Sequence, residues 1–376
     1  MGEIKSRITG ADASSQPLSN SPLLFEAPNP FTALSFTLHG ELLAGGSDGS
    51  VRVYNLSVTA PRTLCKAIRG LPDEVSSLCA PQSDEPTGIG RVWVASGKQI
   101  LLFDLDSDKM VIDPQDAKDV ITLIEEGEGG EDNVLNEIAV SRDLVAFSCD
   151  SGAVGVWDIQ AKTRKIMKAM HSNICGTLAF VSVRPREIVS GGYDSQLIHF
   201  DAPLGSILSK LDMSMPASTS SPISLSPPFI LAIAIGTDGK LAAVTADGRL
   251  IVGRGGEKAR KDRGNKRKWK GLNPELISQY HVADGPVVGV SWTGQAELVI
   301  ASLGGQLKMF QLPEPPTTAS SIELKPTWAT NTNRVDKVNS LATHTTQEHA
   351  LRIAVGGLTS DGRGCLEIWW LHDCEL

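Results

Sequence analysis

The side chains best suited to chemistry in this sequence are the basic residues of one stretch, GEKARKDRGNKRKWKGLNPE at positions 256–275. Between positions 256 and 270 it has eight Lys or Arg residues and two acidic residues, in a chain whose net charge is −8. Such a segment could neutralise phosphates while Trp269 stacks on an unpaired base, serve as a nuclear-localisation signal, or be a solvated loop. The sequence leaves these three interpretations open. The basic residues are Lys258, Arg260, Lys261, Arg263, Lys266, Arg267, Lys268 and Lys270.

Patterns typical of catalysis are absent from the sequence. It has no GxxxxGK[ST] loop and no GxSxG elbow, and VGRGGEKARKDRG lacks the spacing of GxGxxG. Asp104 and Asp106 follow an apolar strand, where carboxylates commonly serve in turns. His372 and Cys374 are only two residues and do not form a cluster with metal-ligand spacing. We therefore predict that the protein is not an enzyme and that it binds neither a cofactor nor a metal ion.

Composition predicts the environment of the chain. Its 376 residues include six cysteines, no two of which form a CxxC pair. The first residues, MGEIKSRITG, do not resemble a signal peptide, so we expect an intracellular protein with free thiols, nuclear or cytoplasmic or both. The longest apolar run, around PPFILAIAIG, is far too short to span a bilayer, and we expect no membrane association.

One pattern recurs seven times along the chain: an apolar strand, a small polar turn and a second apolar strand. A further short apolar run, such as FTALSF or PVVGVSW, precedes most copies. Each unit therefore supplies three strands and a more variable fourth, and seven four-stranded antiparallel sheets close into a β-propeller. Acidic side chains in such turns accept hydrogen bonds from local backbone N–H groups. The turns are centred on Asp48, Lys98, Asp150, Asp194, Asp247, Gly304 and Asp361.

The last copy ends after its third strand, which leaves one sheet short of its outer strand. The segment SPLLFEAP at 21–28 is apolar and precedes the first copy, so we predict that Leu23 to Glu26 pair as that outer strand and close the ring. We expect an all-β domain over 21–376 preceded by a disordered tail at 1–20. Strand order places the first two of three insertions on one face of the ring and the third on the other. The insertions are 123–133 (acidic), 213–228 (Ser/Pro-rich) and 256–275 (basic).

The repeat resembles the WD40 repeat, whose hallmark dipeptide is present at Trp157-Asp158. In that family a His, a Ser or Thr, a turn Asp and the Trp form a hydrogen-bonded set. The resemblance implies this structural role for His171, Ser190 and Asp194, with Phe200 in place of the Trp.

The stretches DSGAVGVWDIQAKTRKIM and MHSNICGTLAF further resemble the WD repeat-containing protein 53 family. This likeness implies a scaffold that acts as a substrate receptor for a cullin-4-type ubiquitin ligase, with Trp157 and Asp158 in contact with the ligase adaptor. The docking signature of such receptors is Trp-Asp-x-Arg, and this chain has Gln160 at the last position. The alternative is a nuclear RNA-binding or ribosome-assembly factor that uses the basic loop 256–270. We expect a monomer outside such complexes.

Overall fold

The computed structural model describes residues 21–56, 63–81, 90–122, 133–214, 226–254, 269–313, 324–346 and 350–371. Within them the chain forms 29 β-strands and two 3₁₀ turns, Pro114–Asp116 and Pro274–Leu276. No helix among these residues has the length and apolar character needed to cross a bilayer. The strands form seven antiparallel sheets, which we call blades 1 to 7, and in each blade the strands are lettered a to d from the ring axis outward.

The first three blades contain thirteen of the first fourteen strands. Blade 1 consists of β2 (Phe31–Phe36), β3 (Leu42–Gly46), β4 (Val51–Asn55) and β5 (Thr63–Ile68), with β9 (Val111–Ile112) added at its edge. Blade 2 consists of β6 (Val75–Cys79), β7 (Arg91–Ser96), β8 (Gln99–Asp104) and β10 (Asp119–Thr122). Blade 3 consists of β11 (Leu135–Ser141), β12 (Leu144–Cys149), β13 (Val154–Asp158) and β14 (Thr163–Ile166).

The other four blades follow the same order, and the last one takes its outer strand from the start of the chain. Blade 4 consists of β15 (Cys175–Val181), β16 (Arg184–Gly192), β17 (Gln196–Asp201) and β18 (Ser206–Asp212). Blade 5 consists of β19 (Ile230–Ile235), β20 (Leu241–Thr245), β21 (Arg249–Gly253) and β22 (Ile277–His281). Blade 6 consists of β23 (Val287–Trp292), β24 (Glu297–Ser302), β25 (Gln306–Gln311) and β26 (Trp328–Asn331). Blade 7 consists of β27 (Lys337–Thr345), β28 (Leu351–Leu358), β29 (Gly364–Leu371) and β1 (Leu23–Ala27).

The blades form a closed ring. Each a strand contacts the a strand of the next blade in chain order, and β27 contacts β2, which completes the circle. The buried apolar residues form seven clusters, and each cluster is shared by two consecutive blades. The b strands are therefore covered on both faces, and two of them, β12 and β20, are buried along their whole length. The predicted seven-bladed all-β propeller is confirmed.

The ring is closed by the strand that the sequence predicted. β1 pairs antiparallel with β29, from Leu23 opposite Ile368 to Ala27 opposite Gly364. The Phe25 ring lies 4.3 Å from the Tyr54 ring of blade 1, measured between centroids. The strand thus joins blade 7 by backbone hydrogen bonds and contacts blade 1 through a side chain.

One element was not anticipated from the sequence. β9 leaves blade 2 after its c strand and pairs in parallel with β5, which gives blade 1 a fifth strand. Lys66 of β5 holds the segment in place, since its Nζ donates to the backbone oxygens of Lys109, at 2.9 Å, and Ser107. The chain then returns to form β10, the d strand of blade 2.

The strands that flank the three predicted insertions define where these leave the ring. The segment 123–133 joins the d strand of blade 2 to the a strand of blade 3, and 213–228 joins the same positions of blades 4 and 5. The basic segment 256–275 joins the c and d strands of blade 5. Residues 1–20 and most of each insertion lie outside the described residues.

Candidate functional site

Blade 4 brings together three residues that the sequence singled out. Nδ1 of His171 lies 2.9 Å from Asp194 Oδ1, and its Nε2 lies 2.8 Å from Ser190 Oγ. Burial lowers the pKa of His171 below its usual value, although the Asp194 carboxylate opposes this effect. The neutral ring therefore donates a hydrogen bond from Nδ1 to Asp194 and accepts a hydrogen bond from the Ser190 hydroxyl at Nε2.

This Ser-His-Asp arrangement has the connectivity of a hydrolytic triad, but its burial is inconsistent with that role. Ser190 has an exposed fraction of 0%, so a substrate cannot reach its hydroxyl. Asp194 also accepts from the backbone N–H groups of Ser172, at 3.0 Å, and Gln196, at 3.2 Å. The arrangement therefore ties the segment before β15 to the turn between β16 and β17. Phe200, at the position of the family Trp, is fully buried.

The other turn aspartates named from the sequence accept mainly from side chains. Asp48 Oδ1 accepts from Ser50 Oγ at 2.5 Å, and Asp247 Oδ2 accepts from Arg249 Nε at 2.7 Å. Asp150 Oδ1 accepts from Asn136 Nδ2 at 2.9 Å. In that turn the Ser151 N–H donates instead to Asn133 Oδ1, at 3.0 Å, a role that the sequence analysis had given to Asp150.

Trp157 and Asp158 end the c strand of blade 3. The Trp157 ring is half-buried against the cluster between blades 2 and 3, and Trp157 is opposite Arg164 of β14 in the strand register. Asp158 Oδ1 accepts from the backbone N–H groups of Gln160, at 3.0 Å, and Ala161, at 2.7 Å. The side chain of Asp158 therefore fixes a turn whose next residues are exposed.

The basic segment is described only at its end. The Lys and Arg residues of 258–268 lie outside the described residues, whereas Trp269 and Lys270 lie within them. Trp269 has an exposed fraction of only 5%, its Nε1 donates to Gly239 O at 2.8 Å, and its ring lies edge-on to His199 at 4.8 Å. The expectation that this ring stacks on a base is therefore corrected: Trp269 belongs to the core between blades 4 and 5.

A cavity of about 310 Å³ lies between the innermost strands, and all seven a strands line it. In every blade the a strand has one extra residue relative to its b strand near the start of the pairing, which is a β-bulge. The bulges turn extra side chains toward the ring axis. The bulge residues are Thr32, Ser76, Asn136 with Glu137, Gly176, Leu231, Val288 and Asn339.

Several bulge residues also connect neighbouring blades. Thr32 Oγ1 donates to Val75 O at 2.6 Å, and Asn339 Nδ2 donates to Phe31 O at 2.9 Å. Asn136 Nδ2 makes the equivalent contact from blade 3 to blade 4, 3.2 Å from the backbone oxygen of Cys175. These residues satisfy buried carbonyl oxygens at the ring axis.

Glu137 is the one carboxylate among the described residues that line the cavity. Its Oε1 accepts from Ser77 Oγ at 2.9 Å, and its backbone N–H donates to Ser148 Oγ at 3.2 Å. Burial raises the pKa of Glu137 to about 7, although the Ser77 hydrogen bond opposes the shift. Glu137 was not among the residues predicted from the sequence, because the run VLNEIAV has the pattern of a plain strand like the other short apolar runs. The signal was the adjacent Asn-Glu pair within that apolar run.

Within the described residues there is no group of three or more His, Cys, Asp or Glu side chains that could hold a metal ion. Five cysteines lie in these residues and are free thiols. Burial raises the pKa of Cys149 and of Cys175 to about 12, so these two thiols are poor nucleophiles.

The comparison with known families bears on the start of the ring. A family model described as "WD domain, G-beta repeat" matches residues 22–55. This segment contains β1 and β2 to β4, so the matched repeat begins with the outer strand of blade 7 and continues through the first three strands of blade 1. Together with the seven-bladed ring, the match supports a WD40 protein.

Proposed function

We propose that this propeller is a non-catalytic scaffold for protein–protein interactions, and that it acts as a substrate receptor of a cullin-4-type ubiquitin ligase. The ring supports the first part of this proposal, since its strands are engaged in pairing while its turns and loops remain at the surface. The likeness to the WD repeat-containing protein 53 family supports the second part. We further propose an intracellular location, nuclear or cytoplasmic or both, and a monomeric state outside such complexes.

The turn at Trp157-Asp158 carries the ligase proposal. Asp158 fixes this turn through two hydrogen bonds, which leaves Gln160 and Ala161 exposed at the end of blade 3. Residues directly opposite each other in paired strands share one face of the sheet. Arg164 is opposite Trp157 in the strand register, and it is the first Arg after Gln160, the position at which the docking signature has Arg. We propose that Arg164 supplies the cation in the contact with the adaptor.

Affinity purification of the tagged full-length chain, with quantification of the ligase adaptor, tests this proposal. We expect Asp158→Ala and Arg164→Gln each to reduce adaptor recovery about tenfold or more, as for central interface residues. Asp201→Ala is the matched control, because Asp201 Oδ1 accepts from the Leu204 N–H at 2.9 Å in the corresponding turn of blade 4. Recovery that is equal for Asp158→Ala and the unmodified chain would exclude docking at this turn. Absence of the adaptor from every preparation would remove the ligase proposal altogether.

The basic segment favours a second candidate, a nuclear RNA-binding or ribosome-assembly factor. The segment joins β21 and β22, which are the c and d strands of blade 5, and the Trp157-Asp158 turn likewise joins the c and d strands of blade 3. Because Trp269 is buried, binding would depend on phosphate contacts by the Lys and Arg side chains.

The test of this candidate is RNA binding as a function of salt concentration. Phosphate contacts predict binding that weakens steeply with salt and is lost when Lys266, Arg267 and Lys268 are all changed to Glu. If this triple variant loses only nuclear accumulation and binds RNA unchanged, the segment is a targeting signal.

A further inference from the structure

Glu137 is the one acidic side chain on the wall of the central cavity among the described residues, and no basic side chain of these residues lies on that wall. Besides Glu137, the described residues that line the cavity include no Lys, Arg, His or Asp. Glu137 is partly buried, and it is one of the residues that line the cavity. Only its Oε1 has a hydrogen-bond partner among the described residues, the Ser77 hydroxyl. A carboxylate held away from bulk water without a cation is costly unless something pairs with it.

A second polar group of the same wall also lacks a partner. Ser76 of β6 lines the cavity beside Ser77, and its hydroxyl has no hydrogen bond in the structure. In blades 1, 3 and 7 the bulge residue donates to a carbonyl oxygen of the next blade, whereas Ser76 of blade 2 makes no such contact. Blade 2 therefore keeps a buried, unpaired hydroxyl at its bulge, and blade 3, the next blade, has Glu137 at its own bulge.

The walls contributed by blades 5 and 6 have the opposite character. Their residues at the cavity are aliphatic, apart from one glycine: Leu231, Ala232, Ile233, Val288, Gly289 and Val290. Blade 4 adds Gly176, which has no side chain, and Thr177. The cavity is thus amphipathic around the ring axis, with a single acidic site on one side and a hydrocarbon surface on the other.

We propose that the central cavity is a binding site for an aliphatic primary ammonium group, whose charged nitrogen pairs with the Glu137 carboxylate while its alkyl stem contacts Leu231, Val288 and Val290. The volume of about 310 Å³ is at the lower end of the range for small-molecule sites. The ammonium donates to Glu137 Oε2, which no donor among the described residues contacts. A short alkyl stem then occupies the apolar side.

Binding of this kind depends on pH in a defined direction, because only the carboxylate form of Glu137 attracts a cation. With the pKa of Glu137 raised to about 7 by burial, affinity increases as the pH rises through neutrality. An alkylammonium has a pKa near that of Lys, about 10.4, and stays charged in this range.

The groups around Glu137 do not titrate over the same interval. On β6, burial raises the pKa of Cys79 to about 11, and Glu137 adds to this shift. β12 and β15 contain no Asp, Glu, Lys, Arg or His, and the one charged residue of β7, Arg91, is opposite Asp104 at the end of that strand. Asp150 is the other nearby carboxylate, and it accepts a hydrogen bond from Asn136.

Calorimetric titration of the full-length chain with n-hexylammonium chloride, with n-hexanol as the neutral probe of equal length, tests the site. We expect n-hexylammonium to bind more tightly than n-hexanol at pH 8, and Glu137→Gln to weaken its binding about 10- to 100-fold, the effect of one charge-assisted hydrogen bond. Glu74→Gln, at an exposed carboxyl outside the cavity, is the matched control and leaves binding unchanged. Binding of n-hexanol that persists in Glu137→Gln shows that the cavity of this variant is intact.

The pH dependence is the second measurement, and it predicts affinity that rises about tenfold per pH unit between pH 5 and 6 and levels off above pH 8. Nα-acetyl-lysine methylamide, titrated in parallel, distinguishes the two sources of this chemistry. If it binds with the same dependence on Glu137, a lysine side chain of a partner can occupy the site. If only n-hexylammonium binds in that way, the ligand is a free amine. Equal affinity of n-hexylammonium for the wild type and Glu137→Gln, or no binding at about 10 mM, would overturn the proposal.

Discussion

Removal of the strand that closes the ring should destabilise the whole propeller. Two deletions distinguish the contribution of β1 to stability from that of the residues before it. Removal of residues 1–20 leaves β1 intact, and removal of residues 1–27 takes away all of β1. Without β1 the outer edge of β29 loses its partner from Ile368 to Gly364. Ala27 also leaves the cluster shared by blades 7 and 1. Blades 7 and 1 then remain in contact through their other strands, chiefly β27 and β2.

The expected magnitude follows from the hydrogen bonds and the apolar packing that β1 provides. Five residues of β1 pair with β29, which corresponds to about four or five backbone hydrogen bonds at a net value of about 1 kcal/mol each. Loss of the partly buried Phe25 and Leu23 side chains adds about 2 kcal/mol. The free energy of unfolding should therefore fall by about 6 kcal/mol, which is half or more of the stability of many proteins. With an unfolding entropy of about 2 cal/mol/K per residue, Tm falls by about 8 °C.

Differential scanning calorimetry of both deletions at one concentration and pH measures the effect. The shorter deletion should melt with the full-length chain, and the longer one about 8 °C lower or without a cooperative transition. Phe25→Ala in the full-length chain should lower Tm by a smaller amount, since it removes the contact with Tyr54 and keeps the strand pairing. If the two deletions melt at the same temperature, β1 does not close the ring.

Three further predictions concern buried polar groups. His171→Ala removes the ring that pairs with the Ser190 hydroxyl and one of the donors to the Asp194 carboxylate, and it should cost about 2–4 kcal/mol by urea denaturation. His281→Ala, at an exposed position, should have little effect. Because burial lowers the pKa of His171, the unfolded chain binds more protons there, so stability should fall as the pH drops below about 6.5, and less so in His171→Ala. The backbone N–H groups of residues 333–335 donate to the Glu367 carboxylate, and Glu367→Ala leaves them without this acceptor. This substitution should lower the free energy of unfolding by about 3 kcal/mol or more, and Glu367→Gln should lower it by a smaller amount. Glu137→Gln should instead stabilise the protein at high pH. The folded chain binds more protons at Glu137 than the unfolded chain between pH 4.5 and 7. The variant should therefore be more stable than the wild type by up to about 3 kcal/mol at pH 8 and nearly equal to it at pH 4.

The repeating elements could be predicted from the sequence because each is encoded locally. The alternation of apolar strands with turns such as the one at Asp194 recurs seven times, and only a closed ring buries both faces of so many short sheets. The pairing of β1 in blade 7 followed from counting strands, since the last unit was one short. The contacts of His171 with Ser190 and Asp194 match the set that the resemblance implied.

Elements that depend on the assembled ring were not predictable. β9 has only two residues and pairs with a strand of another blade, so its sequence, Val111–Ile112, is typical of any short strand. Trp269 lies among Lys and Arg residues, which favoured a surface position. The chain returns from the c strand to the d strand of blade 5 just after Trp269, which brings the indole to the core. The backbone oxygen of Gly239 accepts a hydrogen bond from the indole there. Glu137 was not recognised because the adjacent Asn136 and Glu137 are the one local sign of a β-bulge in that apolar run.

The β-bulges of the a strands determine which side chains line the central cavity. A propeller needs inner strands that curve and approach one another, and one extra residue per a strand provides this while directing a side chain to the axis. The fold accepts a hydroxyl, an amide, a hydrogen or an aliphatic group at this position, as Thr32, Asn339, Gly176 and Leu231 show. None of these groups requires a counter-ion. A carboxylate does require a counter-ion. The Glu137 carboxylate lowers stability near neutral pH, and its Oε2 makes no hydrogen bond to another blade among the described residues. The Ser77 hydrogen bond to Oε1 joins blades 2 and 3, and the proposed ammonium group would supply the partner that Oε2 lacks among the described residues.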